Sequence, residues 1–163
     1  MSWFSRKEKG IVTPTASKLD APDGLWYQCP SCKKAIHTRE HRLFAYTCSG
    51  CNYHEKIGSQ DYFELLFDNS LYTELDPMLS SGDPLNFTDT KKYTDRVKAT
   101  EHKTGLKDAV RAAYGDMNGM PITIAAMDFS FIGGSMGSVV GEKISRAIDH
   151  SLATGKPFLM ISR

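Results

Sequence analysis

Pro121-Ile122-Thr123-Ile124-Ala125-Ala126-Met127-Asp128 is a run of apolar and small residues that ends on a carboxylate. A run so short and so uniformly apolar predicts a β-strand covered on both faces. Upstream, Asp108–Asp116 is a second β-compatible run, and Asn118-Gly119 between the two favours a type I′ turn, so the pair is expected to form an antiparallel hairpin. Downstream comes the glycine loop Phe131-Ile132-Gly133-Gly134-Ser135-Met136-Gly137-Ser138 and then a helix with apolar residues at Met136, Val140, Ile144, Ala147, Ile148 and Leu152. Gly155 and Pro157 stop that helix, and Phe158-Leu159-Met160-Ile161 begins another buried strand. Strand, helix and strand predict one right-handed parallel crossover in a fold of mixed class, α/β with α+β features. A two-stranded parallel sheet ending at Ser162-Arg163 would be half built, so the chain reads as a piece of a longer protein.

Working back toward the amino terminus, Lys91–Glu101 reads as a weakly amphipathic helix through Tyr93 and Val97, preceded by a Pro/Gly/Ser-rich loop from Pro77 to Pro84. Leu71, Tyr72, Glu74 and Leu75 suggest a short strand. Ser59 is the expected N-cap of a helix running to about Phe67, with Asp61 in its first turn and Tyr62, Phe63, Leu66 and Phe67 on one face. Residues 25–58 read as a small β module in which Leu25-Trp26-Tyr27 leads into one cysteine pair and Leu43-Phe44-Ala45-Tyr46-Thr47 into another. Residues 1–24 hold Thr13-Pro14-Thr15, Pro22 and Gly24 among charges and read as a flexible arm, with Trp3 and Phe4 as a terminal anchor. The expected domains are therefore an arm (1–24), a cysteine-bearing ribbon (25–58) and a larger α/β portion (59–163).

The 163 residues carry 20 basic and 19 acidic side chains, so no global charge pulls the chain toward nucleic acid or anionic membrane. The halves differ, with nine Lys/Arg against five Asp/Glu up to residue 60 and eleven against fourteen beyond it. No apolar run approaches the roughly 18 residues of a membrane helix, and no apolar segment follows the charges at Arg6, Lys7, Glu8 and Lys9. The expected location is the cytoplasm. All four cysteines lie in two Cys-x-x-Cys pairs, which suits reduced thiolates better than disulfides.

Cys29 and Cys32, fifteen residues, then Cys48 and Cys51 form a spacing that brings four thiolates to the corners of a tetrahedron around zinc. Pro30, Ser31, Ser49 and Gly50 are turn formers that let backbone N–H groups approach the sulfurs. A redox dithiol and an iron–sulfur site are the competing readings, and neither requires two symmetric knuckles. With four cysteines there is no open coordination position, so the zinc is expected to be structural, and His37, His41 and His54 to be surface residues or neighbours of the site. Lys33, Lys34, His37, Arg39, His41 and Arg42, with Phe44, Tyr46 and Tyr53, can contact phosphates and stack on bases, or form a solvated face over a small aromatic core.

Gly133, Gly134, Ser135, Met136 and Gly137 form neither a Walker loop nor a dinucleotide fingerprint. They can receive an anion at the helix start, or they can simply make a tight turn, with Gly137 and Gly141 allowing close helix packing. No Ser/His/Asp grouping or carboxylate pair points to nucleophilic or acid–base catalysis. The remaining function classes are an enzyme component and a zinc-ribbon nucleic-acid-binding module with a small α/β domain.

Several segments in order resemble the β subunit family of bacterial-type acetyl-CoA carboxylase carboxyltransferases. They are Met1-Ser2-Trp3-Phe4, the Thr13-Pro14-Thr15 arm, the two cysteine pairs, Phe87-Thr88-Asp89-Thr90-Lys91-Lys92-Tyr93 and above all Asp128-Phe129-Ser130-Phe131-Ile132-Gly133-Gly134-Ser135-Met136-Gly137-Ser138-Val139-Val140-Gly141-Glu142-Lys143. The resemblance implies a four-cysteine zinc ribbon in front of an incomplete crotonase-like ββα spiral domain. It also implies a hetero-oligomer with a carboxyltransferase α subunit, served by a biotin carboxylase and by carboxybiotin on a biotin carboxyl carrier protein, that makes malonyl-CoA from acetyl-CoA for fatty acid biosynthesis. Gly133 to Gly137 would lie on the acetyl-CoA side. The family's oxyanion-holding glycine pair follows the strand that begins here at Phe158, so the resemblance assigns no catalytic residue to this chain.

Overall fold

The computed structural model describes residues 24–162, and the expected arm and its Trp3/Phe4 anchor lie outside the described residues apart from Gly24. The chain divides into two compact units, one ending at Glu55 and the other beginning at Lys56. No helix among the described residues is long and apolar enough to cross a membrane.

In the first unit, β1 (Trp26–Gln28) pairs antiparallel with β2 (Ala35–His37), placing Tyr27 opposite Ile36. The second expected strand approach is not a strand. Thr38–Leu43 forms a helix, α1, capped by His37, whose Nδ1 accepts the Arg39 N–H at 3.2 Å. Phe44 ends α1, and Ala45 and Tyr46 both turn left-handed (φ 49° and 56°). The β-prone residues Phe44 to Thr47 thus form a tight reversal, and only a single bridge, Thr47 to His54, remains of the expected ladder.

In the second unit, β3 (Tyr72–Leu75), β4 (Val110–Met117), β5 (Met120–Met127) and β6 (Phe158–Ile161) form one sheet in that order. The first two contacts are antiparallel and β5–β6 is parallel. All four strands are among those expected from the sequence, and the antiparallel hairpin and the parallel pair share β5 within one sheet. Asn118 and Gly119 both have positive φ (52° and 73°), as a type I′ turn requires, and Asp68 accepts both of their N–H groups at 2.9 and 2.8 Å.

Alternation along β4 and β5 sends side chains to two cores. Ile122, Ile124, Ala126 and Ala113 pack with Phe63 and Phe67 of α2 (Ser59–Leu66). Ala112, Ala125 and Met127 pack with Val140 and Ala147 of α4 (Ser138–Thr154), with Phe131, and with Val97 of α3 (Tyr93–Thr104). The double coverage expected of Pro121–Asp128 is what the structure has. Gly115 is required on the α2 side, since a Cβ there would meet the Leu71 carbonyl oxygen at 2.7 Å.

Two helix expectations need correction. The buried stripe of α4 runs through Val140, Lys143, Ala147 and Ser151, while Met136 precedes the helix and Leu152 is 75% exposed. Gly141 faces open space and Gly137 nearly so, so neither serves close helix packing. Ser59 is not the N-cap of α2. Gly58 holds that position, and its N–H donates to the Asp61 carboxylate at 3.0 Å.

Ser59 instead reaches across the fold, donating its backbone N–H (2.9 Å) and its hydroxyl (3.0 Å) to one oxygen of Asp128 at the end of β5. The Ser130 N–H donates to the other oxygen at 3.1 Å, and so does the Ser130 hydroxyl. Burial opposes ionisation of Asp128, but these donors outweigh it and hold its carboxyl below the ordinary value of 3.8. A depressed folded value contributes stability that is present above the unfolded value and lost as pH falls through the folded one. Asp128→Asn is therefore expected to cost about 1–3 kcal/mol at neutral pH, with the difference from the parent shrinking below about pH 4. Urea unfolding of both proteins across that range checks it, and an equal loss at pH 7 and pH 3 would contradict it.

Candidate metal centre and glycine loop

Each cysteine pair forms the same knuckle. The Cys29 N–H donates to Lys34 O and the Lys33 N–H to Cys29 O, and nineteen residues on the Cys48 N–H donates to Tyr53 O and the Asn52 N–H to Cys48 O, all at 2.8–3.0 Å. Lys33 and Asn52 are both left-handed (φ 62° and 57°), which turns each knuckle back on itself. Gly50 closes the second one, because a Cβ there would meet Lys34 Cδ at 2.9 Å and crowd the Cys32 and Cys48 sulfurs.

The four Sγ atoms lie within 4.8 Å of one another, with Cys29–Cys51 at 3.7 Å and Cys32–Cys48 at 3.6 Å. A tetrahedral ion with metal–sulfur bonds of about 2.3 Å has edges of about 3.8 Å, so the thiols are positioned to hold one metal ion. The Gly50 N–H, donated to Cys48 Sγ at 3.3 Å, draws that thiol down to about 6 against the effect of burial. At Cys32 the Lys34 N–H acts in the same direction, but burial and the neighbouring thiols outweigh it and push the group up to about 11.

The histidines separate. His37 caps α1, and His54 is exposed beside Thr47 Oγ1 at 3.2 Å. His41, expected either at the surface or as a neighbour of the site, is buried, which rules out the first alternative. Its ring stacks on Tyr27 at 3.8 Å, and its Nδ1 lies 3.3 Å from the Glu55 carboxylate. With Ile36 and the buried cysteines it makes up much of this unit's interior. Phe44 is 56% exposed and Tyr53 is also exposed, so the aromatic residues beside the basic stretch do not all serve as core. Lys33, Lys34, Arg39 and Arg42 are exposed as well.

In the second unit Gly133, Gly134, Ser135, Met136 and Gly137 fall in one loop between β5 and α4. Gly133, Ser135, Met136 and Gly137 are exposed, and Met136 is 70% so. Ile132, Gly133 and Gly134 are successively left-handed (φ 44°, 66° and 73°). The Gly134 N–H donates to Phe131 O and the Ser135 N–H to Ile132 O. A Cβ at Gly134 would meet the Phe129 ring at 3.1 Å. Gly137 is the N-cap of α4 with extended backbone and no side-chain cap. The sequence reading missed Ile132, a β-branched residue in a conformation such residues rarely adopt, and Asp128, which anchors the loop. The Asp-x-Ser spacing from Asp128 to Ser130 was the available signal for the latter.

A strand, a left-handed glycine loop and a covering helix, behind a four-thiol unit, define a class. The profile described as the carboxyl transferase domain matches residues 82–163, and the chain belongs to that family. Among curated proteins the chain is similar to the acetyl-coenzyme A carboxylase carboxyl transferase subunit beta of Pedobacter heparinus, at 58% identity over all 163 residues. The corresponding protein of Christiangramia forsetii is 53% identical over the same span. The chain spans 58% and 57% of the length of those relatives. The fold also matches a solved transcarboxylase 12S structure with methylmalonyl-coenzyme A and methylmalonic acid bound, at a TM-score of 0.51 and 24% identity over 64% of this chain and 18% of that one.

The four-thiol geometry leads to the expectation that the purified chain holds one metal ion per molecule. Cys48→Ser should lose it together with the folded signal of residues 25–55, while the sheet unit keeps its own. Elemental analysis and hydrogen exchange check both statements, and a metal-to-chain ratio far from one would contradict the assignment.

Proposed function

We propose that the chain forms part of the β subunit of an acetyl-CoA carboxylase carboxyltransferase. With an α subunit it would move the carboxyl group from carboxybiotin on the biotin carboxyl carrier protein to acetyl-CoA, giving malonyl-CoA for fatty acid biosynthesis. The observation that carries this reading is the 58% identity over the whole chain to a relative of that name. Biotin carboxylase would recharge the carrier, making the chain one component of a hetero-oligomer. The metal is zinc: four thiolates at tetrahedral spacing suit it, and the absence of an open ligand position makes its role structural. The functional domains are an arm at 1–24, the ribbon at 25–58 and the first part of a crotonase-like carboxyltransferase domain at 59–163.

Carboxyl transfer to the acetyl methyl group passes through an enolate on the thioester. Backbone donors fixed at the developing oxygen charge are worth about 3–4 kcal/mol each. In this chain Gly133, Ser135 and Gly137 present exposed positions with little side-chain bulk on the acetyl-CoA side, beside the exposed Met136, while the Phe129 ring packs against Gly134. Their role is to position the acyl thioester. The donors that stabilise the enolate come from elsewhere in the assembly.

Malonyl-CoA formation tests this reading. Residues 1–163 supplied with an α subunit, carboxybiotin carrier and acetyl-CoA are expected to give no turnover, and a chain of the relatives' length to restore it. In that longer protein Gly134→Val should lower turnover at least tenfold, because valine resists positive φ and would strike Phe129. Turnover by the 163 residues with the α subunit would show that the enolate donors lie within this chain, and no turnover by the longer chain, or an unaffected Gly134→Val, would overturn the reading.

The exposed Phe44 and Tyr53 beside four exposed cations support a second reading of the first unit, as a nucleic-acid-facing ribbon. Binding is then expected to be weak, sequence-tolerant and steeply salt-dependent, with the salt slope falling when Lys33, Lys34, Arg39 and Arg42 are neutralised. A fluorescence titration at several salt concentrations checks it, and a salt-insensitive complex would contradict it.

A further inference from the structure

Lys143 sits on the inward stripe of α4 with only 2% of its surface exposed. Among the described residues its ammonium has neither a hydrogen bond nor an ion pair. Burial pulls its basicity down, and Asp108, Glu74 and Asp76 offset that only through space. None of the nearby carboxylates reaches it: two are paired with arginines, and Asp108 acts on it only at a distance. Glu74 holds Arg111 in a two-pronged pair (3.0 and 2.7 Å), Asp76 accepts from Arg146 at 2.9 Å, and Asp108 accepts the Ala109 N–H at 2.7 Å. An ammonium that makes no hydrogen bond to the described residues and faces a cavity is a favourable place for an acceptor that enters from outside.

The space for one is present. Lys143 lines a cavity of about 450 Å³ together with Arg111, Glu74 and Gln60 on one side and Met78 and Leu106 on another. A cavity of that size takes a small organic molecule. Arg111 is fixed, since Glu74 occupies two of its nitrogens and the third donates to Gln60 Oε1 at 2.8 Å. Lys107, also in the wall, is bridged to Glu101 at 3.6 Å. Among the described residues of the wall, that leaves a single unneutralised cation, beside apolar surface.

We propose that this cavity binds a small monocarboxylate, its oxygens on the Lys143 ammonium and its short hydrocarbon body against Met78 and Leu106. Among the described residues Lys143 is the one cation of the wall without an ion pair, and with the Asp108 carboxylate acting on it through space a dianionic phosphate is disfavoured against a monoanion, while the apolar wall favours a carboxylate with a few methylene groups over formate. The inference does not depend on the carboxyl-transfer reading.

The test is calorimetric titration of the metal-loaded chain with butyrate, butyramide and inorganic phosphate. Butyrate is expected to bind at least tenfold more tightly than either of the others. Lys143→Met, which keeps the length and apolar stem of the side chain, should abolish that preference, and Lys107→Met should leave it within threefold. A second readout uses the unaltered chain: butyrate should slow reductive methylation of Lys143, followed by mass spectrometry, without slowing that of Lys107. Equal binding of butyrate and butyramide, tighter binding of phosphate, or methylation of Lys143 that is indifferent to butyrate would each overturn the proposal. The last two outcomes leave malonyl-CoA formation untouched, so failure here is distinguishable from failure of the proposed activity.

Discussion

The carboxylate of Asp128 is the constraint on which the second unit depends. It terminates β5, the strand buried on both faces, and accepts from Ser59 at the start of α2 and from Ser130 at the start of the glycine loop. The start of α2 is thereby fixed, across sixty-nine residues of sequence, to the junction of β5 and the glycine loop. The charge is tolerable there only because both oxygens are satisfied, and the amino end of α2, whose Ser59 N–H donates to it, is a favourable place for an anion. The approach is close enough that a Cβ on Gly58 would fall 2.7 Å from Asp128 Oδ2, so glycine at the N-cap of α2 is a packing requirement. With α2 pinned, Phe63 and Phe67 cover one face of the sheet. With the loop pinned, α4 is delivered to the other.

The first unit solves a different problem. Its buried hydrophobic interior amounts to Ile36 and two cysteines, with Tyr27 and His41 stacked beside them. So small an interior does not offset the entropy of ordering its residues, and an ion held by the two knuckles would supply what packing does not. The repetition of the same hydrogen bonds and the same left-handed residue after each cysteine pair shows the backbone arranged around the sulfurs first.

Much of this was legible because the deciding signals are local. Asn118-Gly119 dictates its turn by φ alone, the Ile122–Met127 run leaves no polar face to expose, and the cysteine spacing states its own geometry. The misreadings share a cause, which is that long-range contacts decided them. Phe44 to Thr47 have strand propensity, but closing Cys48 onto Cys29 requires a reversal there. Ser59 has the right chemistry for an N-cap, but Asp128 sixty-nine residues on offered a better use for its hydroxyl. Lys143 falls at i+3 from Val140 and four before Ala147, a stripe position that periodicity alone assigns to the core. Ranking by apolar residues passed over it because lysine is almost never buried without a partner.

Local propensity and long-range contact meet in the glycine loop. Ile132 holds a left-handed conformation that costs a β-branched residue about 1–3 kcal/mol, and such strain persists only where the surroundings over-determine the backbone. Here they do: Asp128 fixes the residues before it, Phe131 is buried in the α4-side core, and α4 fixes the residues after it. Relaxing Ile132 to an ordinary conformation would swing Gly133 and Gly134 and withdraw the backbone that the loop exposes. The strain therefore arises from a turn whose outer surface has to be main chain. A glycine in place of Ile132 would ease it while releasing the side chain's own contact with the core, which is why a hydrophobic residue stands at the start of a turn that glycine would otherwise suit.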